Sequence, residues 1–224
     1  MNAAPFAQNG CATIPGIISF EECDDLTRQV AQLQLAGAGS RNLLLQPWCM
    51  NLAGALRTHA ALAPLLPAAA AAVQCTLFEK TAHKNWAVAI HQDFSIPVRE
   101  RMQAPECTGW ACKEGVMYTQ PPPGVLADIV AVRVHLDPCP AYAGPLRVVP
   151  GSHLFGRLAE SEFDRLRTQH GEVECTADRG DALVMRPLLL HSSSRVTRVS
   201  TRRVLHFVFG LRNLPYGLNW HMAV

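Results

Sequence analysis

The sequence predicts a mainly β fold with flanking helices (α+β), and three observations support this prediction. The chain has 224 residues, 49% of them hydrophobic and 17% charged, which excludes a disordered protein and allows one sizeable core. Helix signals are confined to the N-terminal part, whereas short aliphatic and β-branched runs separated by Gly and Pro fill the remainder. Eight such runs after a helical preface predict a double-stranded β-helix, that is, a jelly roll with a cupin-like core.

The helical part is predicted over residues 1–73, packed on the roll. Ser19 stands before two glutamates, in the order of an N-cap and acidic first-turn residues, and apolar residues at helical spacing follow. A second helix is predicted over residues 48–60. A third is predicted over residues 67–73, because proline is favoured in the first turn of a helix.

The roll is predicted over residues 74–212, with a lid insert at about residues 94–127, so that residues 1–224 form a single domain. Alternation is clearest between residues 128 and 137, where aliphatic residues share one face and Arg133 and His135 lie on the other. The predicted strands are 74–80, 85–91, 128–137, 146–149, 172–176, 182–185, 188–192 and 203–210.

Charge and cysteine usage indicate the class of partner and the compartment. The formal net charge is +2, which gives no reason to expect nucleic acid or an anionic membrane as a partner. The eight cysteines are scattered without a C-x-x-C pair, and the first residues lack the pattern of a signal peptide. We therefore expect a cytoplasmic protein with reduced thiols, a small-molecule substrate and no obligate protein partner.

Three histidines each precede a carboxylate by two positions. Two histidines and one carboxylate form the facial triad of non-haem Fe(II) oxygenases. A His-x-Asp pair suits this site because side chains two apart on a strand leave the same face and can share one ion. The candidate pairs lie at His91–Asp93, His135–Asp137 and His170–Glu172.

Position in the roll selects among these pairs. His91 ends the second predicted strand, and His191 falls on the seventh; in a two-sheet roll these strands are neighbours across the mouth. His135 would lie on the third strand and His170 in a loop, so we predict His91, Asp93 and His191 as the metal and catalytic set. The irregular segment that follows Asp93 suits a lid or a substrate wall.

A 2-oxoglutarate co-substrate would need a cation for its carboxylate, and arginine pairs with a carboxylate bidentately. Arg202 and Arg203 open the last predicted strand, and because neighbouring side chains point to opposite faces, only one of them enters the roll.

The chain resembles the phytanoyl-CoA dioxygenase family of Fe(II)- and 2-oxoglutarate-dependent oxygenases. The similarity covers roughly residues 75–210 in the family order. Its segments are KNW at 84–86 before HQD at 91–93, GPLRVVPGSH at 144–153, GDALVMRPLLLHSS at 180–193 and RRVLH at 202–206.

The resemblance implies Fe(II), 2-oxoglutarate and O2 as cofactor and co-substrates, with His91, Asp93 and His191 as iron ligands. It also places the co-substrate arginine at Arg202 and a supporting hydroxyl at Ser193. The activity it implies is hydroxylation of a small molecule with release of succinate and CO2; because the carboxylate ligand Asp93 is present, halogenation is disfavoured.

Further contacts are predicted from strand parity and from the position of the lid. Asn85 shares the parity of His91 and is predicted to reach the co-substrate. Arg133 and His135, on the polar face of their strand, and Phe94, at the start of the lid, are predicted to contact the substrate.

Two other functions stay open at this point. One is a catalytically silent cupin-like protein that binds a metabolite or a metal. The other is a zinc-dependent cupin hydrolase or isomerase in which the same three ligands activate water.

Overall fold

A computed structural model describes residues 3–33 and 40–224 of the protein. The helices are α1 (Ala3–Asn9), α2 (Phe20–Ala31), α3 (Pro47–Thr58), α4 (Pro123–Ala127) and α5 (Phe163–His170). The first seven strands are β1 (Cys11–Ile14), β2 (Ala70–Lys80), β3 (Val88–His91), β4 (Ile96–Val98), β5 (Thr108–Lys113), β6 (Val116–Gln120) and β7 (Val130–His135). The last five are β8 (Leu146–Val148), β9 (Val173–Cys175), β10 (Ala182–Met185), β11 (His191–Ser193) and β12 (Arg202–Leu211).

Two antiparallel sheets form the roll. The larger has the strand order β1-β10-β7-β12-β2, and the smaller has the order β3-β11-β8-β9. Except for β8 and β9, neighbouring strands within each sheet are not consecutive in the chain, which is typical of a jelly roll rather than of a meander. The predicted fold class is thereby confirmed.

The helices cover the outer face of the larger sheet. Side chains of α2 and α3, among them Leu26 and Leu56, share one buried cluster with Val132 and Phe207 on the sheet. Ser19 caps α2 in a reciprocal capping box with Glu22, so the predicted cap is present. Strands β7 and β12 therefore have one face against the helices and the other face towards the interior of the roll.

The lid has more regular structure than the sequence predicts. Residues 96–120 form a third antiparallel sheet in the order β4-β6-β5. The turn between β5 and β6 has positive φ at both Glu114 (52°) and Gly115 (78°), which is the backbone of a two-residue hairpin. A Glu-Gly turn lacks the usual Asn-Gly or Asp-Gly signature, so the sequence does not reveal this hairpin.

The predicted helix over residues 67–73 is wrong. Ala69 has a φ of 53°, and the chain is already in β2 from Ala70, where it pairs with β12. Alanine favours helix only weakly, and burial of this run between two core clusters outweighs that preference.

The predicted strand over residues 188–192 is shifted. Residues 188–190 form the turn that precedes β11, which starts at His191.

Within residues 3–33 and 40–224, no helix combines the length and apolar character needed to cross a bilayer.

Candidate metal centre

Cross-strand register brings two predicted ligands together. His91 at the end of β3 is the direct partner of His191 at the start of β11. The two imidazole rings lie 4.2 Å apart between centroids. Asp93 follows the end of β3, and its backbone N–H donates to the Pro187 carbonyl at 2.9 Å, which holds it beside both rings.

Both histidines are oriented as metal ligands. Nδ1 of His91 lies 2.8 Å from the Ala89 carbonyl, and Nδ1 of His191 lies 2.8 Å from the Leu189 carbonyl. A carbonyl only accepts, so each ring carries its proton on Nδ1 and presents the lone pair of Nε2. The two Nε2 atoms each lie 3.6 Å from a different oxygen of Asp93.

The donor atoms of His91, Asp93 and His191 all lie within 4.8 Å of one another, and in the described part of the chain no other such group is found. Burial opposes ionisation of Asp93, but the neighbouring His191 and His91 outweigh it and hold its pKa below the ordinary value. The contact with Asp93 raises the pKa of His91, whereas burial lowers that of His191. Two nitrogen donors and a carboxylate, arranged around one point, fit a divalent transition metal.

Gln92, the residue between two ligands, points to the opposite side and ties the ligand loop to its neighbours. Its amide nitrogen donates to the carbonyls of Gly156 (2.8 Å) and Leu188 (2.6 Å), and its oxygen accepts from the Leu158 N–H at 2.9 Å. The side chain is 4% exposed. The sequence gives no signal for this positioning role beyond the place of Gln92 in the motif.

The two rival pairs do not form sites. Asp137 lies beyond the end of β7 and is engaged by Arg203, so it does not share an ion with His135. Glu172 pairs with Arg167 at 3.1 Å. The choice made from position in the roll agrees with this placement.

A cavity of about 450 Å³ lies between the two sheets and contains the three candidate ligands. Among its lining residues, Lys80 and Arg202 are direct partners on β2 and β12. The Lys80 ammonium donates to Ser193 Oγ at 2.9 Å and to the Ser194 carbonyl at 2.6 Å. Arg202 donates from Nη1 to the Gly144 carbonyl at 2.5 Å.

Lys80 is the main cavity residue that sequence reasoning missed. It is 1% exposed, and burial together with the charge of Arg202 lowers its pKa to about 8; Arg133 acts in the same direction and Cys139 in the opposite one. Neither Lys80 nor Arg202 has a carboxylate within 4.0 Å among the described residues. Two buried cations and a hydroxyl thus converge on space that suits an anion.

Arg203 points away from the cavity, as the alternation of a strand requires. It bonds Asp137 through Nε at 2.7 Å and Nη2 at 2.6 Å, on the outer side of the sheet. Of the two neighbouring arginines, the structure therefore places Arg202 in the roll.

Arg133 also lines the cavity, beside His206 and over the face of Phe78. His135 is on the same face of β7 but is not a cavity residue: it is 3% exposed, and both ring nitrogens are enclosed without a hydrogen-bond partner. Burial lowers the pKa of His135 to about 3, with the charges of Arg133 and Arg202 adding to the effect, so the ring is neutral. This placement does not support a substrate contact for His135.

Asn85 is not brought to the cavity either. Its amide nitrogen donates to the Val196 carbonyl at 2.9 Å, and its oxygen accepts from the Val196 N–H at 2.8 Å. Strand β3 begins only at Val88, so parity counted back from His91 does not extend to Asn85. Phe94, in contrast, lines the cavity, with the Arg157 guanidinium 4.3 Å from the centroid of its ring, and its contact with the substrate stays a prediction.

Comparison with protein families finds a match to the phytanoyl-CoA dioxygenase (PhyH) model over residues 6–204. No curated protein matches the sequence significantly.

Several solved structures share the fold. The non-haem α-ketoglutarate-dependent epimerase SnoN from nogalamycin biosynthesis is 19% identical, with 96% of this chain and 84% of that chain covered and a TM-score of 0.67. HygX from Streptomyces hygroscopicus, solved with nickel and 2-oxoglutarate, is 18% identical over 96% and 89% of the two chains, with a TM-score of 0.65. The apoform of EctD from S. alaskensis is 18% identical over 99% and 82%, with a TM-score of 0.69.

Proposed function

The chain belongs to the phytanoyl-CoA dioxygenase family, and on this premise we propose that it hydroxylates a small-molecule substrate with Fe(II), 2-oxoglutarate and O2, releasing succinate and CO2. One observation carries the proposal: a His-Asp-His donor set and a pair of buried cations line the same cavity. This cofactor set is consistent with the family, and HygX has been crystallised with iron and with nickel and 2-oxoglutarate.

His91, Asp93 and His191 would hold Fe(II), which with 2-oxoglutarate and O2 supplies the oxidising chemistry of this family. Three protein ligands leave coordination positions open for small molecules. The Nδ1–H groups bonded to Ala89 and Leu189 keep both rings in the tautomer that binds a metal.

Lys80, Arg202 and Ser193 would bind the carboxylate of 2-oxoglutarate that is remote from the metal. The Lys80 ammonium and the Arg202 guanidinium each already hold one backbone carbonyl, so both cations are fixed before the ligand arrives. Fixed donors lose little conformational freedom on binding, which favours affinity. Ser193 accepts from Lys80 and can donate its own hydroxyl proton to the carboxylate.

The open part of the cavity would hold the substrate. Phe94, Ile96 and Leu126 offer apolar surface there, and Tyr118 donates its hydroxyl to Gln74 Oε1 at 3.1 Å. We place the substrate against these residues.

Structures with this fold include an epimerase and a carbocyclase, so other reaction outcomes are known for it. Among these outcomes we propose hydroxylation. The silent-protein and zinc-hydrolase alternatives are not favoured, because neither requires a buried Lys-Arg pair facing the metal ligands.

The test begins with anaerobic addition of Fe(II) and 2-oxoglutarate to the protein, watching for the weak visible charge-transfer band. His191→Ala and Asp93→Ala should abolish the band. His170→Ala, a matched control at the exposed end of α5, should leave it unchanged.

Succinate release would then be screened across a metabolite panel, and products would be analysed by mass spectrometry after reaction under isotopically labelled dioxygen. A product that carries one labelled oxygen atom supports hydroxylation. No band in the wild-type protein, or a band that survives in His191→Ala, would refute the assignment of the site.

A further inference from the structure

Arg133 is a buried cation that forms no ion pair with any residue the structure describes. It is 7% exposed, and no carboxylate lies within 4.0 Å of it in the described part of the chain. Burial, with the charge of Arg202, lowers its pKa to about 10, while the more distant Asp93 carboxylate acts in the opposite direction, so the guanidinium stays charged at neutral pH. A buried and unpaired charge is costly, and such a group is expected to face an anionic ligand.

The guanidinium is held in place from two sides. Nη1 donates to His206 Nδ1 at 3.0 Å, and the planar group lies 5.2 Å from the centroid of Phe78. Because arginine can only donate, His206 accepts at Nδ1 and carries its proton on Nε2. Nε of Arg133 is enclosed without a partner, which leaves Nη2 as the nitrogen available to a ligand in the cavity.

The spacing along the sheet suits a ligand with two carboxylates. Arg133 is the direct partner of His206 on β12, and His206 lies four residues from Arg202, which corresponds to about 13 Å of strand. A five-carbon diacid spans roughly 5 Å between its end carbons. With one hydrogen bond of about 2.9 Å at each end, such a diacid joins donor nitrogens roughly 11 Å apart, a separation that flexible side chains from two backbone positions about 13 Å apart can reach.

We propose that Arg133 is the second half of a clamp for a five-carbon dicarboxylate, in which Lys80 and Arg202 hold one carboxylate and Arg133 holds the other, on the side of the candidate metal ligands. The inference rests on the proposed co-substrate site and adds a residue that makes affinity depend on both carboxylates. Arg133 is here a binding residue for the co-substrate rather than for the substrate.

The probe is glutarate, the five-carbon diacid without the keto group, and the control ligand is pentanoate, which has the same chain with one carboxylate. Binding is measured by calorimetry on the full-length protein loaded with Ni(II), which prevents turnover, and again after chelation. Arg133→Met should weaken glutarate roughly ten- to a hundredfold in both states, the loss expected for a charge-assisted hydrogen bond. It should leave pentanoate unchanged, whereas Arg202→Met should weaken both ligands.

Arg133→Lys keeps the charge and should bind glutarate more tightly than Arg133→Met. Removal of an unpaired buried charge should not lower the melting temperature of the ligand-free protein. Should Arg133→Met nevertheless fail to fold, Arg133→Gln and Arg133→Lys provide the same comparison.

Unchanged glutarate affinity in Arg133→Met overturns the proposal and leaves Arg133 as a candidate contact for the substrate. A loss seen only with Ni(II) bound also overturns it, because Arg133 would then act through the metal ligands. The charge-transfer band of the wild-type protein reports separately on the proposed function, so a missing band with an intact glutarate effect would refute the oxygenase and leave the clamp standing.

Discussion

Two neighbouring arginines on β12 offer a test in which each variant controls for the other. Arg202 is 3% exposed and faces the cavity beside Lys80, whereas Arg203 faces outward and bonds Asp137 at 2.6 and 2.7 Å. Replacing Arg202 with Met removes a charge-assisted hydrogen bond to the co-substrate, worth about 1.5–3 kcal/mol. The Kd for 2-oxoglutarate should therefore rise roughly ten- to a hundredfold.

Arg203→Met removes the same charge from the same strand but opens only a partly exposed ion pair. Its side chain is 20% exposed, and that of Asp137 is 16% exposed. We expect a loss of about 1 kcal/mol in the free energy of unfolding and an unchanged Kd for 2-oxoglutarate.

The assay is an anaerobic titration of the Fe(II)-loaded variants with 2-oxoglutarate, with urea unfolding in parallel. The reasoning is refuted if Arg203→Met weakens 2-oxoglutarate as much as Arg202→Met, or if neither variant does.

Three further predictions use other parts of the fold. The affinity for 2-oxoglutarate should fall as pH rises through about 8, because Lys80 then loses the proton that makes it a cation; in Lys80→Met this step should vanish from the calorimetric pH series. Gln92→Leu should lower metal affinity roughly ten- to a hundredfold with the ligands themselves intact, and an unchanged metal titration would argue against its positioning role. Gly180→Ala should cost about 2–4 kcal/mol in urea unfolding, because a Cβ there would lie 2.4 Å from the Ile18 carbonyl oxygen. Gly16→Ala, also at positive φ but in open space, should cost only about 1 kcal/mol, and equal losses would contradict the steric explanation.

That His91, Asp93 and His191 lie together was predictable, because strand order brings the two histidines to neighbouring strands. The place of His191 in the roll brings it opposite His91, whereas Asp93 lies beyond the end of β3 and is held beside the rings by its hydrogen bond to the Pro187 carbonyl. Strand alternation separates Arg202 from Arg203. Family membership is confirmed over residues 6–204, a range that includes these residues.

Other residues were not predictable because their surroundings depend on distant parts of the chain. A lysine at the end of a strand usually faces solvent, but the Lys80 ammonium is enclosed by other residues, among them Trp86 and the distant Ser194. Asn85 and Asp137 were candidates for the site but do not lie in it. Strand parity was extended to them past the true ends of β3 and β7, where the chain no longer alternates. The division into residues 1–73 and 74–212 stays a prediction.

Strand β7 has no residue that faces solvent. All six of its residues are buried, with Val132 and Val134 against the helices and Arg133 in the cavity. A substitution in β7 changes either the packing of the core or the lining of the cavity, so few substitutions in this strand are expected to be neutral. In β5 of the lid, by contrast, five of six residues are exposed. Changes in substrate range are therefore expected to arise by variation of the lid hairpin, while the sheet beneath it keeps the chemistry constant.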